Sequence, residues 1–429
     1  MDKEFAVYVL NKDGHPLMPT YRHGKVRRLL KFGKAKVIRR CPFTIKLLYD
    51  SSSYVQPCTT GVDTGSGKFA LSVYRDNGDI VYMSEVEVRN DIKKTMEARR
   101  KFRRSRRSRK TRYRKKRFDH RGNSIRTGRF SPTMTSKIDA HKREIEFAKK
   151  ILPIKELGLE TGKFDPHLMK NLLLALESIR HWGYQKGANY GFQNQRQMIL
   201  ARDNYRCQCC KGKEHDDQLE VHHIIFKSNG GTDDENNLLT VCHTCHQKIH
   251  RGEIIIKPKK INRTLKYATQ MNSIRKQLLD YYTEAVETFG FVTKSNRWLL
   301  GLRKEHWIDS SVVASKGKPF QIKTYLYKKK CCAKGDFKKT QGRRSEQPLQ
   351  TGKIQGLKKF DKVSYYGVEC FIKGRMSSGY AILMDINGDK IDFSYLGKGK
   401  KTPKLSQLKR IGARKTWMVI KEAVTLNTI

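Results

Sequence analysis

Two short cysteine motifs constrain the folding of this chain more than any other feature of its sequence. Cys207-x-x-Cys210 and Cys242-x-x-Cys245 are separated by 31 residues. Each Cys-x-x-Cys turn presents two thiolates side by side, and two such turns supply the four tetrahedral ligands of a structural zinc ion. Cys209, inside the first turn, is a rival ligand. The spacing therefore predicts a compact segment held together by zinc.

Histidines accompany these cysteines in a regular order. His222 and His223 lie between the two motifs, Asn237 follows them, and His246 and His250 come after the last cysteine. Because four thiolates already complete the zinc coordination, the imidazoles are available for other chemistry. A neutral imidazole can accept a proton from water near neutral pH. The alternative is a purely structural zinc segment whose histidines take no part in catalysis.

The charge of the chain indicates the kind of partner it binds. Its 429 residues include 90 Lys and Arg against 41 Asp and Glu, a formal charge of +49, which favours nucleic acid over a membrane surface. A hydrophobic share of 37% excludes a wholly disordered chain. The sequence shows neither an apolar run of about 18 residues nor a secretory signal. We therefore expect a cytoplasmic protein of several domains, without a membrane partner and with reduced cysteines.

A run of basic residues interrupts the first half of the chain. From Arg99 to Arg117, 14 of 19 residues are Lys or Arg and none is acidic. The run contains no Pro or Gly, which favours one helix, but repulsion between like charges four residues apart opposes that helix in water. A polyanion would remove the repulsion. The position between folded segments favours a nucleic-acid-binding helix over the alternative, a disordered basic tail.

Hydrophobic periodicity predicts the elements around these motifs. Strands are predicted at 59–63, 69–74, 80–88 and 154–160. Helices are predicted at 137–152, 168–181, 261–289 and 298–314. Four short strands near the C-terminus are predicted at 362–366, 368–373, 380–384 and 390–395.

Four residues at the ends of these elements form a second constellation. Asp63 and Glu160 each end an apolar strand, and His306 and Asp309 lie three residues apart on one helix face. Taken singly, Asp63 or Glu160 would be an ordinary turn residue or cap. In this order they resemble the RuvC nuclease, an RNase H-like fold. The resemblance implies catalytic roles for all four and two Mg²⁺ ions held by Asp63, Glu160 and Asp309 for phosphodiester cleavage.

The cysteine and histidine segment resembles the HNH, or ββα-metal, nuclease family. The resemblance implies a strand carrying His222 and His223, a loop with Asn237, and a helix with His246. By that resemblance His223 is the general base, and His222 and His246 are ligands of one Mg²⁺, assisted by His250. Asn237 would fix the loop and orient His223, while Zn²⁺ on the four cysteines is structural.

The order of these parts resembles the IscB family of transposon-encoded, RNA-guided nucleases. As in the much longer Cas9 proteins, a split RuvC nuclease carries a bridge helix and an HNH insertion. Pro16-Leu17-Met18-Pro19 resembles the signature of the IscB N-terminal domain. The implied fold class is an α/β multidomain protein. It has an RNase H-like (RuvC) core split in three segments, an arginine-rich bridge helix, an inserted ββα-metal HNH domain with zinc knuckles, a small N-terminal α+β domain and a C-terminal β-rich domain.

The resemblance divides the chain into seven segments. They are 1–54 (N-terminal domain), 55–92 (RuvC segment I), 93–120 (bridge helix), 121–185 (RuvC segment II), 186–255 (HNH domain), 256–325 (RuvC segment III) and 326–429 (C-terminal domain, which would interact with RNA and with a target-adjacent motif).

The resemblance also implies partners. A structured guide RNA, called omega RNA in this family, would pair with target double-stranded DNA, with one protein per guide RNA. The HNH site would cut the guide-paired strand, and the RuvC site the displaced strand. The residues expected to bind RNA are Arg99, Arg100, Arg103, Arg104, Arg106, Arg107, Arg109, Arg112 and Arg114. Those expected to contact DNA are Lys398, Lys400, Lys401, Lys404, Lys409 and Arg410.

The sequence leaves two other functions open. One is an HNH endonuclease of the homing or restriction type, which cuts without RNA and uses the RNase H-like part as a scaffold. The other is a non-catalytic, zinc-bearing RNA-binding accessory protein of a transposon, which would tolerate loss of Asp63, Glu160 and His223.

Overall fold

The computed structural model forms two compact units. Its described residues are 5–109, 130–170, 175–176, 184, 189–212, 218–229, 231–256, 265–333, 355–376, 378–397 and 400–426. One unit consists of Met1–Lys163 with Gln270–Ile429, and the other is Phe164–Thr269. The larger unit is therefore assembled from two stretches that are distant in sequence.

Residues 5–50 form a small α+β module. Its elements are β1 (Tyr8–Leu10), α1 (His23–Lys31), β2 (Ala35–Arg40) and β3 (Phe43–Leu47). The sheet has the order β1-β3-β2, with β1 parallel and β2 antiparallel to β3. Val26, the buried residue of α1, belongs to one apolar cluster with Ile45 and Leu47.

A mixed sheet forms the centre of the larger unit. Its strands are β4 (Cys58–Asp63), β5 (Lys68–Arg75), β6 (Asp79–Glu87), β7 (Ile154–Thr161), β10 (Val286–Phe289), β11 (Gln321–Ile322), β12 (Leu326–Cys331) and β17 (Trp417–Glu422). The order is β10-β7-β4-β5-β6-β12-β17, with β11 paired to β6. Strands β4, β5 and β6 are antiparallel, whereas β7 is parallel to β4 and β10 is parallel to β7. The strands predicted at 59–63, 69–74, 80–88 and 154–160 are all present.

The helices of the larger unit surround this sheet. They are α2 (Ile92–Arg109), α3 (Pro132–Lys149), α7 (Lys266–Tyr281), α8 (Gly290–Leu299) and α9 (His306–Ser315). Helix α3 begins five residues before the predicted start, because Ser131 caps it by accepting a hydrogen bond from the Met134 N–H and Pro132 occupies its first turn. Ile145 and Ala148 on α3 are fully buried in the core beside β4–β7.

Two of the predicted helices differ from the structure. The helix predicted at 261–289 ends at Tyr281, because Val286–Phe289 pairs with β7 as strand β10. The helix predicted at 298–314 is two helices, α8 and α9, separated at Gly301, whose φ of 65° lies in the left-handed region. The first difference arises from tertiary strand pairing and the second from a turn. Hydrophobic periodicity reveals neither of them.

A glycine pair lets α9 lie directly on the sheet. Gly61 of β4 and Gly158 of β7 are cross-strand partners. A Cβ atom at Gly61 would lie 2.3 Å from the Ala314 backbone N and from the Ser310 backbone O, and one at Gly158 would meet Val313 at 3.0 Å. The absence of both side chains therefore permits backbone-to-backbone packing of α9 against the centre of the sheet.

A fully buried ion pair joins α3 to strand β12. The Lys329 ammonium donates to both carboxylate oxygens of Glu144 at 2.7 and 2.8 Å, and both side chains are at most 1% exposed. Tyr82 and Ser84 on β6 donate two further hydrogen bonds to Glu144, at 2.6 and 2.7 Å. Loss of one partner would leave an uncompensated buried charge, so this pair fixes β12, from the predicted C-terminal range 326–429, beside β6.

The C-terminal region also forms a separate four-stranded sheet. Its strands are β13 (Lys362–Tyr365), β14 (Val368–Arg375), β15 (Ala381–Met384) and β16 (Lys409–Gly412), in the order β15-β14-β13-β16. The predicted strand at 390–395 is wrong. Asp392 accepts hydrogen bonds from the Ser394 N–H and hydroxyl, which turns the chain into a 3₁₀ helix at Ser394–Leu396.

The smaller unit is built around a two-stranded antiparallel sheet. Its elements are α4 (Pro166–Lys170), α5 (Gln195–Arg202), β8 (Leu219–His223), β9 (Leu238–Cys242) and α6 (His243–Arg251). Helix α6 starts directly after β9 and ends at Gly252, whose φ is 82°. Most of the helix predicted at 168–181 lies outside the described residues.

Among the described residues, the helices are too short or too polar to cross a lipid bilayer.

The glycine at position 61 yields a stability prediction. The Gly61→Ala variant should lose about 2 kcal/mol or more of folding free energy, because its methyl group overlaps the backbone of α9. Denaturant titration of the purified chain measures this loss. Gly67→Ala is the matched control, since a Cβ there meets nothing within 4 Å. Equal midpoints for the two variants would contradict the packing described here.

Candidate metal centres

Four thiols converge in the smaller unit. The Sγ atoms of Cys207, Cys210, Cys242 and Cys245 all lie within 4.8 Å of one another. Cys242 ends β9 and Cys245 lies in the first turn of α6, opposite the turn that carries the other two. Four clustered thiols match the tetrahedral ligand set of structural zinc. The side chains therefore form a zinc-type centre between the 207–210 turn and the start of α6.

Cys209 lies outside this cluster. Its thiol is not among the four converging Sγ atoms, although it lies in the same turn. Burial and, to a smaller extent, the neighbouring Cys207 and Cys210 together raise the pKa of the Cys209 thiol to about 11. The rivalry that the sequence left open is therefore resolved in favour of Cys207 and Cys210.

Three imidazoles form a second cluster beside the cysteines. His222 lies on β8, and His246 and His250 lie one turn apart on α6; their ligand nitrogens are all within 4.8 Å of one another. The His246 and His250 Nε2 atoms are 3.2 Å apart. Burial and, to a smaller extent, the charges of the neighbouring imidazoles together lower the pKa of His222 to about 4. His222 is thus neutral, which is the form that binds a cation.

A carboxylate that the sequence analysis missed orients one of these imidazoles. Glu220 contacts His246 Nδ1 and, at 3.0 Å, His243 Nδ1. Because a carboxylate only accepts hydrogen bonds, His246 Nδ1 carries the proton and its Nε2 is left for a ligand. The hydrogen bond from His243 and the His246 charge lower the pKa of Glu220. Three nitrogens with such support fit a divalent cation, and imidazole favours a softer ion than the oxygen ligands that Mg²⁺ prefers.

His223 faces a different carboxylate, which was also missed. Its Nε2 donates to Asp233 Oδ1 at 2.8 Å, and Lys227 Nζ lies 2.8 Å from the same oxygen. Hydrogen bonds from Lys227 and His223 lower the pKa of Asp233. An ionised Asp233 holds the proton on Nε2, so Nδ1 of His223 is the free basic nitrogen.

Asn237 fixes the loop between the two strands. Its buried side chain accepts from the Ile225 N–H at 2.8 Å and donates to the carbonyl oxygens of Ile225 and Thr232 at 3.1 and 2.8 Å. We expected Asn237 to fix this loop and orient His223. The direct contact to His223 comes from Asp233, the residue after Thr232, and the orienting role of Asn237 stays a prediction.

In the larger unit, the acidic residues predicted at strand ends lie side by side. Asp63 at the end of β4 is the register partner of Glu160 on β7. His306, at the start of α9, donates from Nδ1 to Asp63 Oδ2 at 2.6 Å. That hydrogen bond raises the pKa of His306. Asp309 lies one turn further along α9, so the structure brings the four predicted residues to one end of the sheet.

Burial disfavours the fully ionised form of this carboxylate cluster. Burial and, to a smaller extent, the Asp63 charge together raise the pKa of Glu160 to about 7. Burial also raises the pKa of Asp309, while a hydrogen bond from the buried Arg297 opposes that rise. Glu160 Oε2 is buried and has no hydrogen-bond partner among the described residues. An orphaned carboxylate oxygen beside two further carboxylates fits an oxygen-seeking divalent cation.

The loop after Asp63 is anchored by residues that the sequence analysis did not select. The Thr64 hydroxyl donates to the Glu160 carbonyl at 2.7 Å. Buried His141 on α3 accepts from the Gly65 N–H at 3.4 Å. Lys137, also buried, donates to the Ser66 carbonyl and to Gln270 Oε1. Gly65 and Gly67, which follow Asp63, were the sequence signal for a tight loop at this point. A tight loop needs anchoring groups, and this could have suggested the basic residues of α3.

The predicted nucleic-acid contacts lie on two separate elements. Arg99 and Arg100 are exposed on α2, which also carries Arg103, Arg104, Arg106, Arg107 and Arg109; Arg112 and Arg114 lie outside the described residues. In the C-terminal region the exposed residues are Lys401, Lys404, Lys409 and Arg410; Lys400 is half-buried, and Lys398 lies outside the described residues.

The cysteine geometry predicts which thiols hold zinc. Cys210→Ser should lose the metal and expose the smaller unit to proteolysis, because a hydroxyl is a poor ligand for zinc. Cys209→Ser is the matched control and should keep the wild-type zinc content. Zinc is measured by atomic absorption of the purified chain. Loss of zinc from Cys209→Ser with retention in Cys210→Ser would reverse the assignment.

Comparisons with known families match both regions of the chain. Residues 7–187 match the family described as RRXRR protein, and residues 207–252 match the HNH endonuclease family. The first match includes the N-terminal module, β4–β7 and the basic helix α2, and the second includes both metal clusters of the smaller unit.

Two curated proteins share shorter stretches with the chain. Anaredoxin from Nostoc sp. is 33% identical over 67 residues, which are 16% of this chain and 86% of that protein. The putative DNA mismatch repair protein mutS homolog of Acanthamoeba polyphaga mimivirus is 33% identical over 75 residues, 15% of this chain and 7% of that protein. The HNH endonuclease segment, the four-cysteine cluster and the RRXRR region together support an HNH-containing, IscB-like nuclease.

Proposed function

We propose that this nuclease is an RNA-guided DNA endonuclease of the IscB type, with two active sites that cut different strands. The histidine site of the smaller unit would cut the strand paired to the guide. The carboxylate site of the larger unit would cut the displaced strand. The seven domain ranges given from the sequence are part of this proposal.

The observation that carries the proposal is the convergence of Asp63, Glu160, His306 and Asp309. An HNH enzyme with one active site does not require three carboxylates on two strands and a helix around an orphaned oxygen. The order β6-β5-β4-β7-β10, with three antiparallel strands followed by two parallel ones, agrees with an RNase H-like core. These features support a second nuclease centre rather than a scaffold.

At the histidine site, His223 would act as the general base. Asp233 holds its Nε2 proton, so Nδ1 would accept a proton from the attacking water. His222, His246 and His250 would hold a divalent cation, which supplies charge stabilisation at the scissile phosphate. Glu220 keeps the His246 ring in the ligand orientation. Zn²⁺ on the four cysteines would fix α6 to the 207–210 turn.

At the carboxylate site, the residues would hold cations and organise the strand. Asp63, Glu160 and Asp309 would hold Mg²⁺, which supplies the positive charge that phosphodiester cleavage requires. His306 bridges from α9 to Asp63 and carries a proton next to the centre. Arg297 orients Asp309 and offsets part of the negative charge.

The basic surfaces support RNA and DNA as joint partners. Exposed arginines at the start of the basic run on α2 offer phosphate contacts to a guide RNA. Lysines and Arg410 on the C-terminal sheet offer contacts to a target-adjacent motif in duplex DNA, through phosphates or guanine edges. The net charge of +49 is spread over the chain, as expected for a protein that a large RNA surrounds.

Co-purification tests the RNA dependence. The chain is expressed together with its flanking DNA, purified, and probed for a defined RNA and for cleavage of a matching DNA target. We expect one RNA species to co-purify and RNase treatment to abolish cleavage. Cleavage that survives RNase would favour the homing or restriction alternative, and an RNA without cleavage would favour the accessory protein.

Strand-resolved cleavage tests the two sites. His223→Ala should abolish cutting of the guide-paired strand alone, because it removes the general base. Asp63→Ala should abolish cutting of the displaced strand alone, because it removes a metal ligand. Each strand is labelled separately and nicking is followed on gels. The matched controls are His15→Ala and Asp76→Ala, which change exposed residues outside both sets of site residues. If either active-site variant stopped both cuts, the two-site proposal would fail.

A further inference from the structure

Helix α8 has its polar and apolar faces reversed relative to an ordinary surface helix. Thr293 and Arg297 are buried, whereas Phe291, Trp298 and Leu299 are 72%, 67% and 84% exposed. A surface helix normally buries its apolar stripe and exposes its polar one. The packing of the described residues therefore gives no reason for the exposed rings.

The polar face of α8 is buried because it supports the carboxylate centre. Arg297 donates to Asp309, and Thr293 is buried on the same face. At the first residue, Gly290, a Cβ atom would lie 3.1 Å from Glu160 Oε1. These contacts fix the rotation of the helix, so its aromatic face is presented to solvent next to the acidic residues.

The exposed face of α8, with the half-buried Phe289 at the end of β10 beside it, combines flat rings with cations. The Phe289 and Phe291 rings are nearly parallel, 6° apart, with centroids separated by 6.1 Å. Lys163 Nζ lies 5.5 Å from the centroid of Phe289, and Lys294 Nζ lies 5.3 Å from that of Trp298. Phe291, Lys294 and Trp298 share one face because they are three and seven residues apart. Helix α8 itself carries no acidic residue.

We propose that Phe289, Phe291, Lys294 and Trp298, called here the aromatic face, stack unpaired bases of a DNA strand beside the carboxylate centre. Exposed rings accept any base by stacking, and neighbouring lysines neutralise its phosphates, which is how proteins bind single strands without sequence preference. The inference rests on the proposed function, because it names the strand that reaches the second nuclease centre.

The geometry favours a single strand over a duplex. Phe291 and Trp298 are about 10 Å apart along the helix axis at ~1.5 Å per residue. This span matches roughly three nucleotides at ~3.4 Å each. Bases in a duplex keep their faces stacked on one another, so only an unpaired strand can offer them to these rings. Lys304, which interacts electrostatically with Asp309, adds a cation near the acidic end.

Fluorescence of a base analogue tests stacking directly. The full-length Asp63→Ala protein is used because it should leave the displaced strand uncut. With its co-purified RNA, it is bound to a target whose displaced strand carries 2-aminopurine. We expect the Asp63→Ala protein to quench the 2-aminopurine fluorescence. Adding both Phe291→Ala and Trp298→Ala should remove this quenching, whereas adding Trp298→Phe should retain it. Tyr54→Ala, which alters a ring 90% exposed elsewhere, is the matched control. Equal quenching in the double alanine variant and the control would overturn the proposal.

Cleavage rates provide the second measurement. With wild-type Asp63, the double alanine variant should nick the displaced strand at least tenfold more slowly and leave the guide-paired strand unaffected. The Trp298→Phe variant should nick the displaced strand at most of the wild-type rate. Slowing of both strands equally, or no rescue by Phe, would indicate a structural effect and overturn the stacking role.

A third measurement separates this inference from the proposed function. Fluorescence anisotropy of labelled (dT)20 with the full-length chain needs neither a guide nor cleavage. We expect at least tenfold weaker binding by the double alanine variant than by Tyr54→Ala. If RNA-guided cleavage fails but this difference appears, only the proposed function falls. If sedimentation shows a wild-type dimer and a monomeric double variant, the face is an interface between copies and the stacking proposal falls.

Discussion

The in-register pairing of β4 with the parallel strand β7 is the constraint on which the larger unit depends. It places Asp63 beside Glu160, and it places Gly61 beside Gly158 on the same pair of strands. The two glycines admit the backbone of α9, and that approach brings His306 to Asp63 and Asp309 to the same end of the sheet. One strand pair therefore determines both the position of the acidic residues and the helix that completes the centre.

The smaller unit reaches a comparable result with sulfur ligands. Cys242 and Cys245 anchor the start of α6, and His246 and His250 follow on the next turns of the same helix. Holding the helix start against the 207–210 turn brings its histidines to His222 on β8. With zinc bound to the four cysteines, four metal bonds would replace much of the apolar packing that a larger domain has, which would let a short segment with a small core build such a centre.

Site residues whose chemistry shows in the local sequence pattern could be selected from the sequence. Residues whose role arises from tertiary contacts could not. Asp63, Glu160, the four cysteines and the three clustered histidines could be selected because strand ends and fixed spacings identify them. Glu220, Asp233, Arg297, Lys137 and His141 could not, since an isolated Glu or Lys in a sequence carries no sign of its tertiary partner. The strand β10 and the turn at 390–395 were missed for the same reason: β-sheet pairing and a side-chain turn overrode the local pattern.

We propose that one chain holds two separate cation centres for cleavage in addition to a structural zinc site. Anomalous diffraction from crystals of the purified chain soaked in Mn²⁺ distinguishes two centres from one, because manganese can replace magnesium at oxygen ligands and also binds imidazole. We expect one group of manganese peaks among Asp63, Glu160 and Asp309, and another among His222, His246 and His250. Manganese at the histidines alone, with none at the carboxylates, would overturn the two-centre proposal and leave a nuclease with one active site.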